Sequence, residues 1–464
     1  MSHVAVVGGG ISGLAAAFRL RQALGPDARI TVLEQADRLG GKLRTVELGG
    51  RSTDVGAEAF VVRNPSALNL VEELGLADRL VHPRLAAATI RAGGRTAALP
   101  KRTFLGVPAE PALVRDVLST AGAARVAAER DLPPLSVTDD VSVGEVLSER
   151  FGAELVDHLV EPLLGGVYAG RAHLLGLRAT MPALVAALDE AGGSLTAAAA
   201  RVLGPASSKP GPVFGALRGG MGVLVEELAT QAKPEVRLTE TVRALTRTAT
   251  GWRLELGSAP HPEFLDADAV VLAVPPPAAR RLLADVVPAA SAAYARIEVG
   301  SMAVVSLALP DGVTLPDASG VLLAVGERHR DGTPFTAKAF TFTSAKWGGV
   351  PGRLRASVGR VGEEATLRRD DDVLLAEVRR DLRELTGIDA APTDATVTRW
   401  GGGLPQYGVG HTAAVDAIER AVADVPGLAV AGATLHGVGI PACIDAATRA
   451  AGSIEAWLAS TTPN

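Results

Sequence analysis

Val4, Ala5, Val6 and Val7 are small apolar residues in an unbroken run, the pattern of a parallel strand buried on both faces. Gly8, Gly10 and Gly13 interrupt the run, and Leu14, Ala15, Ala16, Ala17, Phe18 and Leu20 then read as a helix laid on the sheet. A second apolar run, from Ile30 to Leu33, ends at an acid, Glu34. Strand, glycine turn, helix and strand in this order predict the start of a parallel α/β sheet.

The pattern then changes character. Apolar Leu68, Val71, Leu74 and Leu76 predict a short helix within 64–80, with Ser66 as its cap. Residues 87–99 alternate loosely around Gly93 and Gly94 and read as a hairpin. A loop at 101–111 holds two cations and two prolines. Residues 114–131 read as an amphipathic helix that Pro133 and Pro134 break. Ser142 and Glu145 form a capping-box signal for the next helix, which continues through 151–164 and stops at the segment GGVYAG. So 101–170 predicts a helical insertion. A helix at 184–188 follows, then a Pro- and Gly-rich surface loop at 204–212.

Beyond Gly219–Gly222 a helix runs through Leu228, with a strand at 236–238 and an antiparallel ribbon at 242–245 and 252–256. The apolar run 269–274 returns the chain to the first sheet. Strands at 302–309, 321–325, 337–342 and 354–358 predict a second, mostly antiparallel sheet, backed by a helix at 371–385. The last block is a strand at 428–432, a glycine turn at 437–439, and a helix from about Ala442 to Leu458. The fold class expected is therefore α/β: a Rossmann-type nucleotide-binding domain, a mixed-sheet domain and an inserted helical domain.

Composition narrows this little. The chain of 464 residues has a formal charge of −5, which gives no support to nucleic-acid binding. Cys443 is the only cysteine, so an internal disulfide is impossible and a reducing, cytoplasmic setting is expected. The first apolar run lacks a basic leader and carries three glycines, so it reads as a strand and not a signal peptide. No stretch reaches the ~18 apolar residues of a membrane span; a peripheral membrane contact is compatible with the sequence.

The glycines carry chemistry. In G-x-G-x-x-G, Gly8 permits the tight turn, Gly10 lets a pyrophosphate reach the backbone, and Gly13 lets helix and strand approach. Gly9, Ile11 and Ser12 complete the loop, whose free N–H groups face the anion at a helix N-terminus. Glu34, about twenty residues past the last glycine, stands where a ribose hydroxyl needs an acceptor, and an acid there implies a ribose without a 2′-phosphate. The glycine turn before the closing helix offers a second N-terminus to a flavin ring.

The loop Arg38-Leu39-Gly40-Gly41-Lys42 and the segment Asp54-Val55-Gly56-Ala57-Glu58 resemble two fingerprints of the amine-oxidase-like flavoproteins. The cofactor that this resemblance implies is FAD. With EPLLGGVYAG, GPVFGALRGGMG, VLAVPPP, RWGGGLPQYGVGH and GATLHGVGIPAC added, the whole chain resembles the protoporphyrinogen/coproporphyrinogen oxidase family, in detail its Gram-positive type, which makes coproporphyrin III. The resemblance implies FAD contacts at Gly8 to Gly13, Glu34, Gln35, Gly41, Lys42, Gly56, Ala57, Glu58, Ala59, Val242, Trp400, Val438, Gly439 and Ile440. Val242 would touch the adenine end through its backbone. Trp400 would lie beside the isoalloxazine on a loop that Gly401, Gly402 and Gly403 open.

The reaction implied is three rounds of hydride transfer from coproporphyrinogen III to flavin, with O2 reduced to H2O2, in heme synthesis. It calls for orientation and dryness more than for acid–base groups, so no catalytic side chain is nominated. Lys101 and Arg102 are the cations expected to hold propionates, and Gly166 and Tyr168 a wall for a flat ring. His158 and Glu161 have i, i+3 spacing but no third ligand, so no metal is expected. Cys443 reads as a buried helix-start thiol. The domains expected are 1–60, 215–290 and 396–464 for FAD, 61–100, 171–214 and 291–395 for substrate, and 101–170 for the helical insertion. Hand-off to other enzymes of heme synthesis fits this setting. The alternatives are a protoporphyrinogen IX oxidase, an amine oxidase or desaturase of the same fold, and a non-catalytic pathway protein that retains FAD.

Overall fold

The computed structural model describes residues 2–84, 87–205, 211–349 and 351–461. The first strand, His3–Val7, is the centre of a five-stranded parallel sheet. It pairs with Arg29–Leu33 on one side and Ala269–Leu272 on the other. Glu235–Arg237 and Leu428–Val430 form the edges. Three distant parts of the chain thus build one sheet, which is why apolar runs recur near residues 4, 30, 270 and 429. Val4, Ala5 and Val6 are fully buried beneath the helix Ile11–Leu24 and the closing helix Ile440–Thr461.

The antiparallel ribbon has a third strand, His261–Ala267, that the sequence reading left out. Its exposed positions carry His261, Glu263 and Asp266, so its apolar signal is weak. The helix at Ser66–Glu73 begins one residue earlier than its capping signal suggests: Pro65 is the cap position, and Ser66 donates its hydroxyl to Asp445. Ser142 does cap its helix, accepting the Glu145 amide at 3.2 Å.

The second sheet has seven strands, ordered Asp394–Pro405, Val299–Ala308, Arg353–Val358, Ala337–Thr341, Gly320–Leu323, Thr89–Ala92 and Arg95–Ala98. Trp400 and its three glycines lie inside the edge strand Asp394–Pro405, not on a loop. Glycine is a poor strand former, but this stretch is held by pairing along Val299–Ala308, with an irregularity between Gly300 and Met302.

The two faces of this sheet differ. Leu354, Ala356 and Val358 pack with Leu374, Val378 and Leu382 of the helix Asp371–Thr386. The alternate positions Arg353, Arg355 and Ser357 are half-buried on the opposite face. There the row Ile90, Leu322, Ala339, Ser357 crosses four strands. Ile90 and Leu322 pack into the core of a helical lobe, together with Leu147, Leu159, Leu164, Leu184 and Leu195. Ala339, Ser357 and Arg355 are only half-covered. The sheet is therefore capped by the lobe at one end and partly open towards the other.

The lobe's core extends to Ala199, on the helix Leu195–Leu203. Part of the 204–212 loop lies outside the described residues. Among the described residues, no helix is long and apolar enough to cross a membrane.

Candidate active site

The glycine turn sits at the carboxyl end of the parallel sheet, where such folds bind ligands. Gly8 has φ +107°, and a Cβ there would lie 2.4 Å from the Ala273 carbonyl oxygen. A Cβ on Gly13 would lie 1.8 Å from the carbonyl oxygen of Gly8, so helix and strand can touch only without it. Gly10 is different: a Cβ there meets nothing nearer than the Gly41 Cα at 4.0 Å. The protein itself leaves that space open beside the backbone.

Glu34 ends the second strand. Its Oε2 accepts the Gly9 amide at 2.7 Å and its Oε1 the Ala36 amide at 2.8 Å. Gln35 beside it is exposed. The second glycine loop docks on the first, with the Gly40 amide donating to Gly9 O at 2.8 Å and Gly10 bridging to Gly40. Gly41 packs against Gly10.

Lys42 follows, half-buried. Burial lowers its pKa, and among the described residues it has no ion pair. It lies close enough to Cys443 that the two groups affect one another. Burial raises the Cys443 thiol, so this cysteine stays protonated. It occupies the first turn of the closing helix, where its amide donates to Gly439 O at 3.0 Å. Neither that helix nor Ile11–Leu24 has an acid in its first turn. Two positive helix ends and a lysine thus stand around one region, with Glu34, bonded to the Gly9 amide, as the acid at its edge.

The segment 54–59 runs alongside. A Cβ on Gly56 would lie 2.0 Å from Lys42 O and 3.0 Å from Trp400 Cζ2, and Trp400 Nε1 donates to Val55 O at 3.0 Å. Lys42, Gly56 and Trp400 therefore form one contiguous surface. Ala57 donates its amide to Lys42 O at 3.0 Å, and Ala59 follows as a half-buried residue. Glu58 lies beneath, 8 % exposed, between Lys346 at 2.6 Å and Arg355 at 3.1 Å. Burial alone would raise this carboxyl, but Arg355 and Lys346 outweigh it and hold it below its ordinary value.

Asp54 has no ion pair among the described residues. Burial raises it to about 6 despite hydrogen bonds from Thr45 Oγ1 and the Met221 amide. The sequence reading quoted Asp54 in a motif without assigning it a role. Val242 opens its strand, and its carbonyl accepts Arg281 Nη2 at 3.1 Å.

On the lobe side three sequence motifs converge. Tyr168 of GGVYAG lies 5.3 Å, ring to ring, from Tyr407 of LPQYGVGH. Tyr407 stacks on His411 at 3.8 Å and donates its hydroxyl to Ala433 O at 2.7 Å, in the segment before the closing helix. Gln406 Nε2 donates to Tyr168 O at 2.8 Å. Val438 packs against the lobe's core, and Gly439 and Ile440 start the closing helix. Burial pushes Tyr168 up to about 12 and His411 down to about 4, so this cluster is uncharged at neutral pH. Tyr407, Gln406 and His411 were not picked out from sequence, although the motif that contains them was.

Gly166 is exposed, and a Cβ there would meet nothing within 4 Å. Arg102 has φ +53° and donates to Gly204 O at 2.9 Å, while Lys101 is exposed. The structure therefore ties Arg102 to the lobe's own backbone. His158 bonds Val117 O, and Glu161 accepts the Ala172 amide.

A long dianionic cofactor fits these residues. Gly10 leaves room at the backbone, two helix ends and Lys42 await an anion, and Glu34 supplies a ribose acceptor.

Comparison with known proteins agrees. The family of flavin containing amine oxidoreductases matches residues 11–454. A coproporphyrinogen III oxidase of Mycobacterium tuberculosis is 44% identical over 437 residues, covering 93% of this chain and 92% of its own. The chloroplastic protoporphyrinogen oxidase 1 of Spinacia oleracea is 25% identical over 450 residues, covering 90% and 77%. A crystal structure from Exiguobacterium, given provisionally as a protoporphyrinogen oxidase, superposes with a TM-score of 0.83 at 32% identity, covering 98% of this chain and 99% of that one. The glycine loops, the convergent aromatic cluster and these full-length matches identify the chain as a member of the flavin containing amine oxidoreductase family, with FAD as its cofactor.

Proposed function

We propose that this protein oxidises coproporphyrinogen III to coproporphyrin III in heme synthesis. The observation that carries the reading is the meeting of Tyr168, Tyr407 and Val438 beside the cofactor loops. Motifs specific to porphyrinogen oxidases there form one wall. The likeness to coproporphyrinogen III oxidases over nearly the whole chain supports the same choice of substrate.

The conversion removes six hydrogens from the macrocycle in three two-electron steps, and three O2 become three H2O2. FAD, when bound, supplies the two-electron acceptor. Gly8 to Gly13, Glu34, Lys42, Gly56 and the start of the closing helix would hold it. The chain's own residues then position and shield. Tyr168 and Tyr407 give an uncharged aromatic wall, and the neutral His411 behind them adds no charge. Gly166 leaves room for a flat ring to approach the backbone. Lys42, close to two helix N-termini, stabilises negative charge in the cofactor region. Lys101, exposed on its loop, remains our choice for a propionate at the rim.

Anaerobically prepared coproporphyrinogen III, added to the FAD-loaded protein in air, should give coproporphyrin fluorescence with peroxide release. Absence of both would overturn the reading.

A further inference from the structure

Lys338 of the seven-stranded sheet has no ion pair among the described residues, and Arg360, just past the strand Arg353–Val358, has only a long one. Lys338 is 4 % exposed, and its Nζ has one hydrogen bond, to Gly165 O at 3.0 Å, and no ion pair among the described residues. It sits at a register irregularity between Ala337 and Ala339. That turns it away from Phe340 and the core behind, towards the helical lobe.

Arg360 stands on the other side of the same glycine: a Cβ on Gly165 would lie 3.4 Å from Arg360 Nε. The Arg360 side chain is 12 % exposed, and its nearest carboxylate is Glu363 at 3.8 Å. Its Nε has no acceptor among the described residues. The neighbouring acids are shared with a third cation, and Glu161 Oε1 has no hydrogen bond among the described residues. Glu363 accepts Arg171 Nη2 at 2.7 Å, and Glu161 takes the Ala172 amide and lies 3.7 Å from Arg171. Three cations, Arg171, Lys338 and Arg360, thus face two carboxylates, Glu161 and Glu363.

A buried cation without a counter-ion is costly. Gly166, next along the helix from Gly165, faces open space. We propose that Lys338 and Arg360 form a carboxylate subsite that seats one propionate of the tetrapyrrole, against the backbone of Gly165 and Gly166. This rests on the porphyrinogen reading above. Burial first, and then Arg360, lowers Lys338 to about 7, with Glu363 and Glu161 opposing and Arg171 adding to the effect. A bound carboxylate would restore the charge, so binding at pH 8 takes up close to one proton.

The test uses FAD-loaded protein and the product as probe. Kd is measured by fluorescence for coproporphyrin III and, in dilute detergent, for its tetramethyl ester. Lys338→Met and Arg360→Met should each weaken the free acid roughly tenfold to a hundredfold and leave the ester unchanged. Lys338→Arg should restore most of the loss. Titration calorimetry of the wild type at pH 8, in two buffers of different ionisation enthalpy, should show the proton uptake, and Lys338→Met should abolish it. Acid and ester weakened equally, or the acid unaffected, would overturn the subsite. Should neither Met variant fold, absence of proton uptake in the wild type would overturn it alone. A wild type that turns over coproporphyrinogen III while these variants bind normally would refute the subsite only. A wild type that does not turn it over would refute the substrate.

Discussion

Glu34 Oε2 accepts the amide of Gly9 at 2.7 Å, so the acid that ends the second strand is fastened to the glycine turn that ends the first. One carboxylate therefore shapes the loop and stays beside it as an acceptor for a ribose. Glu34→Ala should weaken FAD by ~1.5–3 kcal/mol, the worth of a charge-assisted hydrogen bond, or roughly tenfold to a hundredfold in Kd. Flavin fluorescence titration of refolded apoprotein measures it. Unchanged affinity in a folded variant would remove Glu34 from the site.

Gly10 and Gly13 belong to one motif but answer to different neighbours. Gly13→Ala places a methyl 1.8 Å from Gly8 O and should destabilise the apoprotein by ~1–3 kcal/mol or more. Gly10→Ala meets no protein atom within 3.9 Å, since its nearest is at 4.0 Å. Its apoprotein should melt like the wild type while FAD affinity falls. Apoprotein melting curves beside flavin titrations separate the two. Full FAD affinity in Gly10→Ala would mean that no ligand passes there.

The carboxylates at 54 and 58 should respond to pH with opposite signs. Asp54 is raised to about 6 in the folded state, above the ~3.9 of an unfolded Asp. Its buried charge therefore costs stability above pH 6, about 3 kcal/mol as an order of magnitude, and that cost is relieved as pH falls from 6 towards 4. Asp54→Asn keeps an acceptor for Thr45 and Met221, so it should flatten this part of the stability profile without lowering Tm at pH 8. Urea unfolding at several pH values reads it; a persisting slope would clear Asp54.

Glu58 is held low, so its ion pairs contribute fully above the unfolded value of ~4.3 and are lost as pH falls through its folded pKa. Glu58→Gln leaves Lys346 and Arg355 without their carboxylate. At pH 7 it should cost ~3–5 kcal/mol, towards the lower end because both cations keep some exposure. A loss below ~1 kcal/mol would mean that solvent screens these pairs as it does at a surface.

The parallel sheet was legible because its strands are buried on both faces and read as continuous apolar runs, as at Val4 to Val7 and Ala269–Leu272. The cofactor loops were legible because glycine spacing is a local signal. Trp400 was misread as a loop residue because its glycines suggest breakage, while the pairing that holds them comes from Val299–Ala308, a hundred residues away. Lys338 was hidden by a different effect. Unbroken alternation puts it on the same side as Phe340, in the core; only the irregularity at Ala337 and Ala339 turns it to the open face. Tyr168 and Tyr407 were each in view, but their 5.3 Å contact joins segments with no sequence signal between them.

The most direct test compares two substrates on one preparation. Purified FAD-loaded protein is given coproporphyrinogen III and protoporphyrinogen IX in parallel, with porphyrin fluorescence and oxygen uptake followed together. The expected result is a higher kcat/KM for coproporphyrinogen III, with three O2 consumed per coproporphyrin formed. Faster oxidation of protoporphyrinogen IX, or porphyrin formation without oxygen uptake, would contradict it.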